Sequence, residues 1–270
     1  MLGAIVGDIV GSPYEYTHNN IKTTEFSLFS QASHFTDDTV MTLAVAGALM
    51  EVLPSHGAPA ADGKVEGALV KKMREFGARY PYAGYGVRFS RWLISRAPKP
   101  YGSFGNGAPM RVSPAAWAYD TLEEVEHCAE LTARVSHNHP EGIKGAQATA
   151  GAILLARQGR DKAEIKRYVQ ERHGYDLSRT LDDIRPDYVH VESCQETVPE
   201  AITAFLEAEG FEDCLRKAVS LGGDSDTLTA IAASIAEGAW GVPRSIIAAA
   251  RVKLDSFLLE VLDRWEAWRR

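Results

Sequence analysis

The sequence predicts an all-α protein. Three observations carry that expectation: alanine-rich stretches whose apolar residues recur at helical spacing, a near absence of alternating runs, and proline, glycine and small polar residues placed where those stretches begin and end. The pattern predicts helices over 39–53, 65–80, 121–135, 141–158, 162–173, 199–208, 212–220, 226–239 and 243–270. Pro140 stands one residue before the fourth of these and Pro243 opens the last, where a missing N–H is tolerated. Gly159 follows the fourth as a stop. Only Tyr188-Val189-His190-Val191 has a strand-like pattern. Residues 54–63 read as a surface loop, while 96–113 and 178–197 are longer segments, the former rich in glycine and proline and too patterned for a simple connector. With no linker-like stretch and no internal repeat, the 270 residues are expected to form a single domain.

Composition narrows the function. Hydrophobic residues at 45% and charged residues at 24% exclude a disordered, collagen-like or disulfide-scaffold chain. No window reaches the roughly 18 apolar residues of a membrane span. The apolar start, 1–10, contains Asp8 and lacks a basic region, so it reads as structure and not as a signal peptide. Cys128, Cys194 and Cys214 are odd in number and widely spaced, which points to idle thiols and a cytoplasmic location. A net charge of −7 argues against nucleic-acid binding. It leaves open an anionic small molecule, provided that cations are gathered first.

Acidic and small polar residues gather at three places: Gly7 to Glu15, Phe35-Thr36-Asp37-Asp38-Thr39, and Gly222-Gly223-Asp224-Ser225-Asp226-Thr227. One such cluster before a helix is explained as an N-cap. The second and third, however, carry more carboxylates than a cap uses. Each also precedes a strongly apolar run, 40–48 and 228–236, expected to be central helices. Carboxylates held beside a core repel one another unless protonated or neutralised by cations. An all-oxygen set of carboxylates and threonine hydroxyls suits Mg²⁺ or Mn²⁺, and Ca²⁺ less specifically. Gly222-Gly223 permits a tight turn before Asp224 and Asp226, and the adjacent Asp37 and Asp38 can diverge toward two metals. Spacing alone does not bring the clusters together.

These residues match a known family pattern. The chain resembles the ADP-ribosylglycohydrolases through Gly7-Asp8-x-x-Gly11-x-x-x-Glu15, Phe35 to Thr39, Gly102-Ser103-Phe104-Gly105-Asn106-Gly107 with Met110-Arg111, Ser136-His137, Thr197-Val198-Pro199 and Gly222 to Thr227. The resemblance implies an orthogonal bundle of helices and two divalent cations, Mg²⁺ or Mn²⁺. It assigns the cations to Thr36, Asp37, Asp38, Asp224, Asp226 and Thr227, places Glu15 beside them, gives the diphosphate and distal ribose to 103–107, and sets His137 near the ADP-ribose. A glycine-rich loop with Ser103 and Asn106 is suited to aim N–H groups at a diphosphate, and Phe104 is a candidate to pack on a sugar or base. His139 reads as a cap before Pro140, Asp8 as an anchor for the first loop, and Cys194 as packing.

The implied chemistry is hydrolysis at C1″ of an ADP-ribosylated protein or small-molecule adduct, through an oxocarbenium-like transition state. Glu15, Asp37 and Asp226 are the catalytic candidates. The leaving group is not legible, with a slight preference for arginine-type adducts. Two rivals stand beside this reading: a non-catalytic ADP-ribose binder, and a metal-dependent phosphohydrolase that splits the diphosphate of a nucleotide.

Overall fold

In the computed structural model, which describes residues 1–16 and 18–269, the chain is helical, and no strand forms among those residues. The helices are α1 (Leu2–Gly11), α2 (Asp37–Val52), α3 (Asp62–Arg79), α4 (Val87–Ile94), α5 (Ser113–Ala118), α6 (Leu122–Arg134), α7 (Pro140–Arg157), α8 (Lys162–His173), α9 (Leu181–Ile184), α10 (Cys194–Glu207), α11 (Phe211–Val219), α12 (Ser225–Trp240), α13 (Arg244–Arg251) and α14 (Ser256–Trp268). A single 3-10 turn, Ser12–Tyr14, continues α1. The all-α expectation holds.

The caps follow the local chemistry. Thr121 accepts from the Glu124 N–H, His139 from Glu141, Asp161 from Glu164 and Asp255 from Leu258, each satisfying an N–H that the first turn leaves free. Gly159 and Gly174 follow α7 and α8 with φ of 76° and 68°, in the region that glycine enters without a Cβ penalty.

Several boundaries differ from the sequence expectation. The apolar start is itself a helix, α1. The segment 243–270 is two helices, because Asp255 caps a new N-terminus after Leu254 turns inward; Arg270 lies outside the described residues. Helix α10 begins at Cys194, five residues before the expected Pro199, which sits inside it. Residues 188–191 form no strand. No neighbouring strand is there to pair with, and the Tyr188 and Val191 carbonyls accept instead from Lys22 and the Thr197 hydroxyl.

Helix α12 is the axis of the core, with every residue from Ser225 to Ala236 buried; it packs against α1, α7, α10 and α11, while α2 packs against α3, α5 and α14. All three cysteines are buried and unpaired. None of the helices is long and apolar enough to cross a membrane.

Glu126 on α6 is buried and accepts from two residues of α8, Arg172 Nε (2.6 Å) and the Tyr168 hydroxyl (2.8 Å). Burial alone would raise its carboxyl, but bonds from His173, Arg172 and Tyr168 outweigh it and hold it at about 2. The folded value lies below the ordinary 4.5, so the stability it contributes is present above pH 4.5 and is lost as pH falls toward 2. Glu126→Gln is therefore expected to lower unfolding free energy by about 2 kcal/mol at pH 7. The deficit should shrink at pH 3.5, as read from urea titrations at the two pH values.

Candidate active site

The site is assembled by one close helix contact. Gly3, Gly7 and Gly11 recur every four residues and line one face of α1. A Cβ at these positions would lie 2.2, 2.3 and 2.4 Å from the carbonyl oxygens of Ala233, Thr229 and Ser225 on α12. Only hydrogen fits there, so the two backbones touch, and the ends of α1 and α12 reach the same place.

Asp8, wholly buried on α1, then fixes the start of α2. Its Oδ2 accepts from the Thr36 and Thr39 N–H groups (2.9 and 3.0 Å), and its Oδ1 from the Thr36 hydroxyl (2.7 Å). The Thr227 hydroxyl donates to Asp38 Oδ2 at 3.1 Å, tying the third cluster to the second. Asn20 clasps the Gly222-Gly223 turn, accepting from the Gly223 N–H and donating to the Gly223 carbonyl (2.6 and 3.1 Å). Both turn glycines have positive φ, 69° and 71°. The three clusters therefore meet in space, as the sequence alone could not establish.

They border a cavity of about 450 Å³. Its acidic part is made of Glu15, Asp37, Asp38, Asp224 and Asp226 with Thr227, and its remaining polar lining includes Arg88, Arg111, His137, Ser103 and Asn106. Asp38, Asp224 and Asp226 are buried, while Asp37 and Glu15 are half-buried. Burial first, and the Asp226 charge next, hold Asp37, Asp38 and Asp224 well above the usual carboxylate range. The same two causes raise Asp8 and Glu15 to about 7. The leading charges acting on Asp37, Asp38 and Asp224 are other carboxylates. Asp38 Oδ1 is buried without a hydrogen-bond partner. Among the described residues no three Asp, Glu, His or Cys side chains form a ready-made metal-holding group.

The glycine-rich loop is held from the far side of the chain. The Asn106 N–H donates to the Glu192 carbonyl (2.7 Å), the Cys194 N–H donates to the Phe104 carbonyl (2.9 Å), and Gly105 bridges to Ser193. Asn106 Nδ2 donates to Asp224 Oδ2 at 2.7 Å and to the Thr197 hydroxyl at 3.2 Å, joining the loop to the acidic part. Cys194 is buried, its thiol pushed by burial to about 12 and donating to the Gly105 carbonyl, in keeping with packing. His139 caps α7 as expected.

Two of the residues named from sequence lie outside the cavity lining. Thr36 sits beneath it with its hydroxyl proton given to Asp8, and Phe104 is 46% exposed, edge-on against His139. Conversely, Tyr85, Arg88, Tyr101, His190 and Glu192 line the cavity without having been singled out. Arg88 stacks over the Tyr101 ring at 4.8 Å, a pairing that no short motif announces.

The chain is similar to known proteins along nearly its whole length. The ADP-ribosylglycohydrolase family description matches residues 1–268. ADP-ribosylhydrolase ARH3 of Mus musculus is 26% identical, with 90% of this chain and 83% of that protein covered. The ADP-ribosyl-[dinitrogen reductase] glycohydrolase of Rhodospirillum rubrum is 27% identical, covering 89% and 84%. A solved structure titled ADP-ribosylglycohydrolase-related protein complex superposes with a TM-score of 0.66 at 23% identity, over 98% of this chain and 96% of that one, and shares the fold. With a match across nearly its whole length, the chain belongs to the ADP-ribosylglycohydrolase family, hydrolases that act on ADP-ribosyl adducts.

Proposed function

We propose that the protein is a divalent-metal-dependent hydrolase that releases ADP-ribose by cleaving the C1″ bond of an arginine-linked adduct. The observation that carries the reading is the acidic part of the cavity: five carboxylates around one space, with one buried oxygen left unpartnered. Carboxylates crowded this way favour hard cations with oxygen ligands. Asp37, Asp38, Asp224, Asp226 and Thr227 would hold two Mg²⁺ or Mn²⁺ ions. Thr36, whose proton is committed to Asp8, would offer a hydroxyl lone pair from below. When bound, such ions would neutralise the carboxylates, orient the ribose hydroxyls and acidify the attacking water.

The protein's own groups divide the remaining work. The 103–107 loop, with Arg88 and Arg111 nearby, would give the anionic diphosphate its place in the cavity. Glu15, half-buried at the border of the acidic part, is assigned the proton exchanged with water and leaving group. Glu192, lining the cavity with a side chain 73% exposed, adds negative charge at the mouth. A cationic guanidinium leaving group suits that acidic mouth.

The test is release of ADP-ribose from arginine-, serine- and O-acetyl-linked adducts with Mg²⁺, with Mn²⁺ and with EDTA. Metal-dependent release from the arginine adduct is expected. Binding of ADP-ribose without turnover would return the protein to the binder reading, and AMP with ribose phosphate as products would make it a phosphohydrolase.

A further inference from the structure

We propose that Arg111 and Ser136 are positioning residues that hold His137 as its Nε2–H tautomer, so that one N–H donor, and no lone pair, faces the cavity. The inference rests on the reading of that cavity as an ADP-ribose site only for the identity of the acceptor; the tautomer itself follows from the hydrogen bonds.

Arg111 is wholly buried, and a guanidinium can only donate. Its Nη2 donates to the Thr132 carbonyl (3.1 Å) and to Ser136 Oγ (2.8 Å). The Ser136 hydroxyl therefore accepts on that side. It also lies 2.8 Å from His137 Nδ1, and two arrangements are conceivable. If Nδ1–H donated, Ser136 would accept twice, and its own proton would be left without an acceptor at a position with no exposure. Leaving a buried donor unpaired costs on the order of 1–3 kcal/mol. If instead the hydroxyl donates to Nδ1, the Ser136 hydroxyl and His137 Nδ1 are both satisfied. The relay thus runs in one direction, Arg111 to Ser136 to His137, and ends on an unprotonated Nδ1.

The ring is neutral, because burial and then the Arg111 and Arg88 charges hold it well below the ordinary histidine range. A neutral ring without a proton on Nδ1 carries it on Nε2. The surroundings of Nε2 keep that proton available. A Cβ at Gly107 would come within 3.0 Å of it and one at Gly105 within 3.8 Å, so glycine at both positions leaves it uncovered. Phe89 and Tyr101 pack tilted against the ring, with centroids 6.2 and 5.7 Å away, and Tyr101 N–H ties down the Ser136 carbonyl. A ring flip would replace Nδ1 with carbon and break the relay.

The consequence is a defined role. His137 offers nothing to a metal through Nε2 and is no general base. It supplies a hydrogen bond to an acceptor oxygen, which beside the 103–107 loop is a phosphoryl or ribose oxygen of the ligand.

Two-bond ¹H–¹⁵N correlation spectra of the ¹⁵N-histidine-labelled protein decide the tautomer with no ligand present. The expected pattern is unprotonated Nδ1 and protonated Nε2, unchanged between pH 6 and 8. A protonated Nδ1, alone or with Nε2, overturns the proposal. In Ser136→Ala the fixed pattern should give way to a mixture, with the Kd for ADP-ribose and the KM raised about tenfold and kcat within twofold. An unaltered tautomer in that variant overturns the relay. Failure of the wild-type protein to bind ADP-ribose would instead overturn the functional reading, and the spectra would still decide the tautomer.

Discussion

Asp226→Asn is expected to lower ADP-ribose release on the order of 10³-fold while raising the melting temperature of the protein in EDTA. Both effects come from one charge. Asp226 is buried at the start of α12 and adds to the upward push on Asp8, Glu15, Asp37, Asp38 and Asp224. Its Oδ1 accepts from the Thr227 N–H at 3.0 Å, a bond that the asparagine oxygen retains. What the variant loses is one negative charge from a crowded cavity. Without metal that loss relieves repulsion, and a rise of roughly 2–4 °C corresponds to about 1 kcal/mol in a chain of this size. With metal the loss would remove a proposed ligand, so the rise in melting temperature expected of the wild type in saturating Mg²⁺ should largely disappear. Paired melts in EDTA and Mg²⁺, beside the release assay, check all three. Full activity would remove Asp226 from the proposed site, and a lower melting temperature in EDTA would show that repulsion is not what the carboxylates contribute.

Gly7→Ala is expected to cost about 4 kcal/mol or more, or to prevent soluble folding. A methyl group at Gly7 would lie 2.3 Å from the Thr229 carbonyl oxygen and 2.5 Å from its carbon, both backbone atoms of a buried helix. No side-chain rotation relieves that overlap; α1 must move away from α12. Because Asp8 and Glu15 ride on α1 and its extension, the same displacement draws them from Asp226. The folded fraction should therefore also lose activity. Gly67 on α3, where a Cβ meets nothing within 4 Å, is the control: Gly67→Ala should melt at or above the wild-type temperature. Thermal melts of the pair check this, and a Gly7→Ala protein melting near wild type would refute the close contact.

The contrast between those two glycines shows what was legible in the sequence. Helix periodicity, prolines and caps placed most of the long helices within a few residues, since those signals are local. Asp37, Asp38, Asp224, Asp226 and Thr227 stood out because crowded carboxylates before apolar runs conflict with burial. Helix α1 escaped because its glycines look like helix breakers until a second helix is seen against them. Arg88, Tyr101, His190 and Glu192 escaped for another reason: each is brought to the cavity by tertiary contact alone. Phe104 was the reverse case, an aromatic in a loop that lines the cavity, itself turned outward.

The three thiols provide a built-in stopwatch. Cys128, Cys194 and Cys214 sit on α6, α10 and α11, each at most 3% exposed, and burial pushes all three well above the ordinary thiol range. A thiol that is neither ionised nor reachable reacts with alkylating reagents only when its helix opens. The rates at which the three are labelled would therefore time the opening of three separate parts of the bundle in the unmodified protein, with no probe added to the fold.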